Sequence, residues 1–310
     1  KMNQAEAVEL MKNFAGGLEK SPTLEEAVDV ADSYASIEDK AVKKLILSEV
    51  QKNLSDAQQQ KNERGVVIYN LLNTIFLSED STNKINVSAT LGIPPVYVMP
   101  NKLLQDANGK ITVQQFFYGD KDGMNVFNSF LANYRNINWK IVNKPEWVEV
   151  SSIKGNKITI YCNRPFDTQQ DLDQRAQDDL SFYLDSINAN PTVAIHRGHS
   201  YYVNSTIKQL PYTSKVVLLG SCGGYHNLDD VLSICPEAHI IASKQVGTGI
   251  VNITLINSIL ENLRLGKDLN WPLMWKSLQN KFNAQYKEKF DDYVPPHKNL
   301  GAIFIKAYKK

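Results

Sequence analysis

From residue 111 onward, short apolar segments alternate with amphipathic helical segments along the chain. The apolar segments are "ITVQQFFYG" (111–119), "TVAIH" (192–196), "KVVLL" (215–219) and "AHIIAS" (238–243). Strands that are this uniformly apolar are typical of a parallel sheet with both faces buried. Helices between successive strands supply the covering layers. We therefore predict an α/β fold with a mainly parallel sheet and helices on both faces.

The first part of the chain has a different pattern. Residues 2–78 read as helix, with Ser21 as an N-cap and Pro22 at the first helical position of one segment. Polar residues then gather at 78–83, and a proline-rich stretch follows. We predict a helical N-terminal domain over residues 1–90 and an α/β domain over residues 91–310. The helical domain carries no reactive cluster, so we expect it to serve packing or to bind a protein partner.

Composition excludes several classes of function. Hydrophobic residues make up 43% of the chain, charged residues 22%, and the net charge is +1. Such a balance does not favour binding to nucleic acid or to anionic membranes. No apolar run approaches the roughly 18 residues of a membrane span. The asparagine-rich, cysteine-poor composition is compatible with an exported bacterial protein, and it leaves the compartment undecided.

The chain has three cysteines, Cys162, Cys222 and Cys235. They form no CxxC pair, and the five histidines do not complete a zinc pattern with them. No motif predicts a metal or an organic cofactor. Because the number of cysteines is odd, at least one thiol is free or intermolecular.

Two reactive side chains follow two successive predicted strands. His199 comes after strand 192–196, and Cys222 comes after strand 215–219. If these strands pair in parallel, both side chains lie at the same sheet edge, where ligands bind in such folds. Histidine is the usual partner of a nucleophilic cysteine. The flanking Gly198 and Gly223 allow a substrate backbone to come close to this site.

Other residues receive secondary predictions. We expect His196 to pack within its strand, and His226 to be an auxiliary base or a rim residue. Cys162 and Cys235 lack glycine neighbours and read as structural. Thr168 is predicted to cap the next helix, with Asp171 three residues later. The segment "HIIASKQVG" (239–247) is our candidate for the edge of the substrate cleft.

The second domain resembles the caspase-like cysteine peptidases, which include caspases, metacaspases, gingipains, clostripain and separases. In that family one apolar strand ends in a His-Gly turn and the next ends in Ala-Cys or Ser-Cys. Here "AIHRGHS" is similar to the first block, and "VVLLGSCGG" is similar to the second. The resemblance implies a cysteine endopeptidase with a dyad of His199 and Cys222. It also implies oxyanion binding by backbone N–H groups near Ser200 and Cys222.

The sequence departs from the family pattern at three places. Ser200 stands where a glycine usually follows the histidine, although its backbone N–H is still a donor. Gly220 stands where family members that cleave after Arg or Lys carry an acidic residue. Cleavage after Arg or Lys by this chain would therefore require a negative charge from Asp120 or another acid. The 23-residue separation of His199 from Cys222 is short for the family.

Two alternative functions remain open from the sequence. Gly220 to Gly224 fits G-x-C-x-G, a thiol version of the α/β-hydrolase nucleophile elbow. In that scheme His297 is the candidate base, with Asp291 or Asp292 as its acid. The other alternative is a catalytically inactive caspase-like module that binds peptides or proteins, for which Ser200 is the supporting residue.

Overall fold

The computed structural model describes residues 13–282 and 284–310. The chain divides into two compact units, one formed by residues 1–96 with 297–310 and the other by 97–296. The predicted boundary at residue 90 falls six residues before the division, and the first unit also takes in the end of the chain. The part of the predicted helical segment at residues 2–12 lies outside the described residues.

The first unit is built from helices that enclose an apolar core. Its helices are α1 (Glu25–Ser36), α2 (Lys40–Gln59), α3 (Glu63–Glu79), α4 (Val87–Leu91) and a C-terminal helix at Leu300–Tyr308. Asp39 and Asn62 cap α2 and α3 by accepting hydrogen bonds from backbone N–H groups, so the long helical stretch is broken at these residues. Tyr34 stacks on Phe76 at 3.8 Å, and Phe304 joins the same core.

The second unit contains a large sheet and its covering helices. The strands are β1 (Val98–Met99), β2 (Lys110–Phe117), β3 (Trp139–Asn143), β4 (Trp147–Ser152), β5 (Lys157–Asn163), β6 (Val193–Arg197), β7 (Val216–Leu219), β8 (His239–Ser243), β9 (Leu269–Asn270) and β10 (Tyr293–Val294). The helices are α5 (Gly123–Asn133), α6 (Leu172–Ser186), α7 (Val203–Lys208), α8 (Leu228–Ile234), α9 (Gly249–Arg264), α10 (Trp271–Gln279) and α11 (Ala284–Asp291).

Eight of these strands form one sheet in the order β10-β8-β7-β6-β2-β5-β4-β3. The pairs from β8 to β5 are parallel, whereas β10, β4 and β3 pair antiparallel at the two ends. This confirms the prediction of an α/β fold with a mostly parallel sheet. The predicted neighbours β6 and β7 do pair in parallel, with Ile195 opposite Leu218.

The central strands of the sheet are buried and mostly apolar. Every residue of β6, β7 and β8 is buried, as expected for strands with helices on both faces. Phe127 and Phe130 of α5 pack on Phe117 of β2, and Leu255 and Ile259 of α9 join the same core. This packing fixes the strand ends from which the candidate site projects.

Two sequence predictions in this unit were wrong. Thr168 does not cap α6; it begins a short 3-10 helix, Thr168–Gln170, and α6 starts only after Asp171, whose φ is +54°. The Asp167 side chain caps the 3-10 turn instead, by accepting from the Gln169 N–H. The segment that begins with β8 is not a free sheet edge, because β10 pairs with it at Ala242 and Ser243.

Candidate functional site

The candidate site lies where the carboxyl ends of β2, β6 and β7 meet. In the order of strands, β5, β4 and β3 lie to one side of β2, and β6, β7 and β8 lie to its other side. The strand order therefore reverses between β2 and β6, which flank a topological switch point. Ligands in open α/β sheets bind at such a point. Asp120 follows β2, His199 follows β6 and Cys222 follows β7. All three line one cavity of about 140 Å³.

Cys222 is the exposed thiol of the described chain. It is free and lies in a turn after β7, whereas Cys162 and Cys235 are free but buried. Burial raises the pKa of the Cys162 thiol well above its usual range and that of Cys235 to about 11. These two cysteines are therefore poor nucleophiles, which agrees with a structural role for both.

The loop that carries Cys222 is held by the segment that follows β8. The Ser243 hydroxyl donates to the Ser221 carbonyl at 2.7 Å, and the Gly223 N–H donates to the Gln245 carbonyl at 3.0 Å. Gly247 lies so close that a Cβ there would be 2.5 Å from the Ser221 carbonyl carbon. The position of Cys222 is thus fixed by backbone contacts rather than by burial of its side chain.

His199 is half exposed and lies beside two carboxylates. Its Nε2 is 3.6 Å from Asp120 Oδ2 and 3.9 Å from Asp122 Oδ2, and half of its side chain is solvent-accessible. Its ring stacks on Tyr201, whose hydroxyl donates to the same Asp120 oxygen at 3.2 Å. Asp120 also accepts from the Gly123 N–H at the start of α5. Asp120 is therefore fixed where it can orient the imidazole.

His196 has a structural environment that differs from that of His199. It is buried, and its Nδ1 is 2.7 Å from the Thr206 hydroxyl on α7. Its ring contacts Tyr118, which stacks on Tyr202 at 4.2 Å. Burial lowers the pKa of His196 to about 4, so the ring is neutral at pH 7. The prediction that His196 packs within its strand is confirmed.

The depressed pKa of His196 predicts a loss of stability in acid. The unfolded chain binds a proton on this residue below pH about 6.5, whereas the folded chain does so only near pH 4. The stabilisation is present above pH 6.5 and is lost as pH falls toward 4. We expect His196→Gln to reduce the stability difference between pH 7 and pH 5 by about 2 kcal/mol, measured by urea unfolding. An unchanged difference in the variant would contradict this account of His196.

The predicted site residues do not all meet in the cavity. Gly198, His199 and Cys222 line it, whereas Ser200, Gly223 and His226 are not among its lining residues. The Gly223 N–H is used by Gln245, so it is not a free oxyanion donor in this conformation. Ser200 is exposed beside His199, and His226 is exposed in the 3-10 helix Gly224–Asn227. His297 belongs to the first unit.

Several cavity residues were not singled out as part of the site from the sequence. Asp122 and Asn252 have no motif that marks them, and Asn252 is placed by α9, far along the chain. Its side chain donates to the Gly220 carbonyl at 2.8 Å, which ties α9 to the loop before Cys222. Arg197 is the last residue of β6 and stands two residues before His199, and this position was the available signal.

Neither a metal site nor a membrane helix is found over residues 13–282 and 284–310. No group of three or more His, Cys, Asp or Glu side chains there is arranged to hold a metal ion. None of the helices in that part of the chain combines the length and the apolarity that crossing a bilayer requires.

Comparison with known proteins does not assign the site. No family model, no curated protein and no solved structure matches this chain.

Proposed function

We propose that the second unit is a caspase-like cysteine endopeptidase domain, preceded in the chain by an all-α N-terminal domain. The observation that carries this proposal is the shared cavity: a free, exposed thiol and an imidazole beside a carboxylate lie at the ends of neighbouring parallel strands. A thiol and an imidazole that line one cavity support a thiol nucleophile with a histidine partner.

In the proposed reaction, the Cys222 sulfur attacks a peptide carbonyl carbon. The C–N bond breaks as the amine leaves with a proton, and the acyl group remains on Cys222. Water then cleaves the thioester and restores the thiol. His199 stabilises the thiolate or protonates the leaving amine. The backbone N–H groups of Ser200 and Cys222 are the proposed oxyanion donors, since neither bonds another group in residues 13–282 and 284–310.

The proposal is tested by finding which thiol an alkylating reagent modifies and how that modification changes peptide cleavage. Iodoacetamide at neutral pH is expected to label Cys222 and leave Cys162 and Cys235 unmodified, because the latter two are buried. Peptide mapping identifies the labelled residue, and cleavage of a broad peptide library measures activity before and after labelling. Labelling of Cys222 without loss of cleavage would contradict the proposed role of this thiol.

The alternatives predict different results in the same assays. A thiol hydrolase of the elbow type loses activity in His297→Ala and keeps it in His199→Ala. An inactive binding module cleaves no peptide, whichever residues are changed. The peptidase proposal ranks first because His199 lines the cavity of Cys222, and His297 is not among the lining residues.

A further inference from the structure

A second cavity lies along α9, beyond the turn of this helix that reaches the candidate site. It has a volume of about 510 Å³ and is lined by α9, by the end of α5, by the residues that lead into β3 and by Lys281. Pockets for small molecules span about 300–1,000 Å³. The two cavities share no lining residue, so this one is large enough for a ligand of its own.

The face of α9 toward this cavity carries short polar residues that are mostly uncharged. They recur at helical spacing and comprise Thr254, Asn257, Ser258, Glu261 and Asn262. The solvent-facing side of an amphipathic helix normally carries charged residues. Asparagine, serine and threonine also favour a helix less than glutamate or lysine does. Helix stability therefore gives no reason for this composition, whereas hydrogen bonding to a ligand does.

Few charges face this cavity, and its carboxylate is already paired. Glu261 accepts from Arg264 Nε at 2.8 Å, and the same guanidinium makes a second contact of 2.5 Å with it. Lys281 contributes an exposed ammonium group to the lining. The other polar side chains of the lining are amides, hydroxyls and an indole. The cavity therefore suits a neutral ligand that is rich in hydroxyl groups.

Two asparagines of α9 are each held at one end of the amide and open at the other. The Asn262 Nδ2 donates to the Ser258 carbonyl at 2.8 Å, which leaves its Oδ1 as an acceptor. The Asn257 Oδ1 accepts from the Tyr134 hydroxyl at 3.4 Å, which leaves its Nδ2 as a donor. Neither open atom bonds another group within residues 13–282 and 284–310. A sugar hydroxyl both donates and accepts, so it matches this pair of atoms.

Trp139 adds a hydrogen-bond donor next to an apolar surface. It is the first residue of β3, it packs edge-on against Tyr134 with ring centroids 5.0 Å apart, and it is 8% exposed. Its indole N–H donates to no group in the part of the chain that the structure describes. A tryptophan N–H that is mostly withdrawn from solvent usually has a partner. Because Trp139 lines the cavity, a bound ligand can supply that partner.

We propose that this cavity binds a neutral carbohydrate, in the form of one or two sugar units of an oligosaccharide. The open amide atoms of Asn257 and Asn262 bond sugar hydroxyls. The Trp139 indole donates to a further hydroxyl, and its ring carbons contact the C–H groups of the sugar. This inference goes beyond the proposed peptidase function and does not depend on it, because none of these residues lines the cavity of Cys222.

The first test measures sugar binding by saturation-transfer NMR, which detects weak ligands. The probes are maltotriose, cellotriose, xylotriose and triacetylchitotriose, and we expect at least one of them to bind wild-type protein with a Kd of about 1 mM or tighter. Asn257→Ala and Asn262→Ala should each weaken that binding roughly 3- to 10-fold, since each removes one neutral hydrogen bond. No binding of any of the four probes at millimolar concentration would overturn the proposal, as would tighter binding of the anionic trigalacturonate.

Asn190→Ala is the matched control for the two asparagine variants. Asn190 is exposed and is not among the lining residues, so its replacement should leave sugar binding at the wild-type level. Asn257→Ala and Asn262→Ala should melt near the wild-type temperature, because alanine is the better helix former at both positions. An equal loss of binding in Asn190→Ala would show that the sugar does not bind at this cavity.

Tryptophan fluorescence reports whether the sugar occupies the cavity itself. Binding should change the fluorescence of wild-type protein and leave that of Trp139→Phe unchanged, because the proposed contact is with this indole. Ser258→Met fills part of the cavity and should abolish binding in a protein that still folds. All of these variants should cleave peptides as wild-type protein does, so failure of the sugar site and failure of the peptidase proposal are distinguishable. A fluorescence change that Trp139→Phe retains in full, or wild-type affinity in Ser258→Met, would contradict the assignment.

Discussion

Replacing His199 with alanine is expected to lower kcat/KM for peptide cleavage by roughly 10²- to 10⁴-fold, the range for loss of a general acid or base. The side chain is half exposed, so its removal leaves no core cavity and the protein should stay folded. Among the residues that the structure describes, its ion-pair contacts within 4 Å are to Asp120 and Asp122. The expected loss is therefore chemical and should fall mainly on kcat.

The control for His199 is the other candidate base. His297→Ala should retain cleavage, and circular dichroism should show that both variants are folded. Asp120→Asn should give a smaller loss than His199→Ala, because Asp120 acts by orienting the imidazole at 3.6 Å rather than by contacting the substrate. Full activity of His199→Ala would contradict the dyad, whatever the result for His297.

The second large loss of activity is expected when Gly247 is replaced with alanine, which adds one methyl group. A Cβ at this position would lie 2.5 Å from the Ser221 carbonyl carbon and 2.9 Å from the Cys222 nitrogen. These neighbours are backbone atoms and cannot move aside like a flexible side chain, so the loop with Cys222 must shift. Because a displacement of about 1 Å can cost 100-fold in rate, we expect Gly247→Ala to lose about that much in kcat.

Gly249→Ala provides the matched comparison two residues away. A Cβ at Gly249 meets nothing within 4 Å, so the added methyl group causes no steric conflict. We expect its loss in kcat to be far smaller than that of Gly247→Ala. Iodoacetamide labelling of both variants reports whether Cys222 is still accessible. Equal kcat values for the two variants would show that the contact of Gly247 with the Cys222 loop does not position the thiol.

Much of the central sheet could be predicted because its strands are mostly apolar. Each of β6, β7 and β8 begins within one residue of its predicted start, since a buried strand leaves a continuous hydrophobic signal. The pairing of β6 with β7 followed from their short connection. From this pairing the sequence predicts that His199 and Cys222 lie at the same edge of the sheet. In the structure both residues line one cavity.

The wrong predictions concern residues whose role depends on distant contacts. β10 is only two residues long, and nothing in "YV" indicates that it would cover β8. Thr168 and Asp171 match a cap pattern, but Asp167 takes the capping role in the 3-10 turn. A local sequence pattern cannot show which of these neighbouring residues forms the cap, because tertiary packing decides where the helix begins.

Arg197 illustrates what the sequence conceals at the site itself. Its place before Gly198 was visible, but an arginine at a strand end is usually solvent-exposed or paired. Its burial and its place in the wall of the cavity are visible only in the structure. The same holds for Asn252, which is brought to the Gly220 carbonyl by α9.

The central claim is that the Cys222 thiol cleaves peptides, and the most direct measurement is cleavage of an amidated peptide library by wild-type protein and by Cys222→Ala. We predict cleavage by wild-type protein and, as is typical when a nucleophile is removed, a loss of roughly 10⁴-fold or more in Cys222→Ala, with Cys235→Ala close to wild type. Cleavage at the wild-type rate by Cys222→Ala would contradict the account, as would a folded wild-type protein that cleaves no peptide.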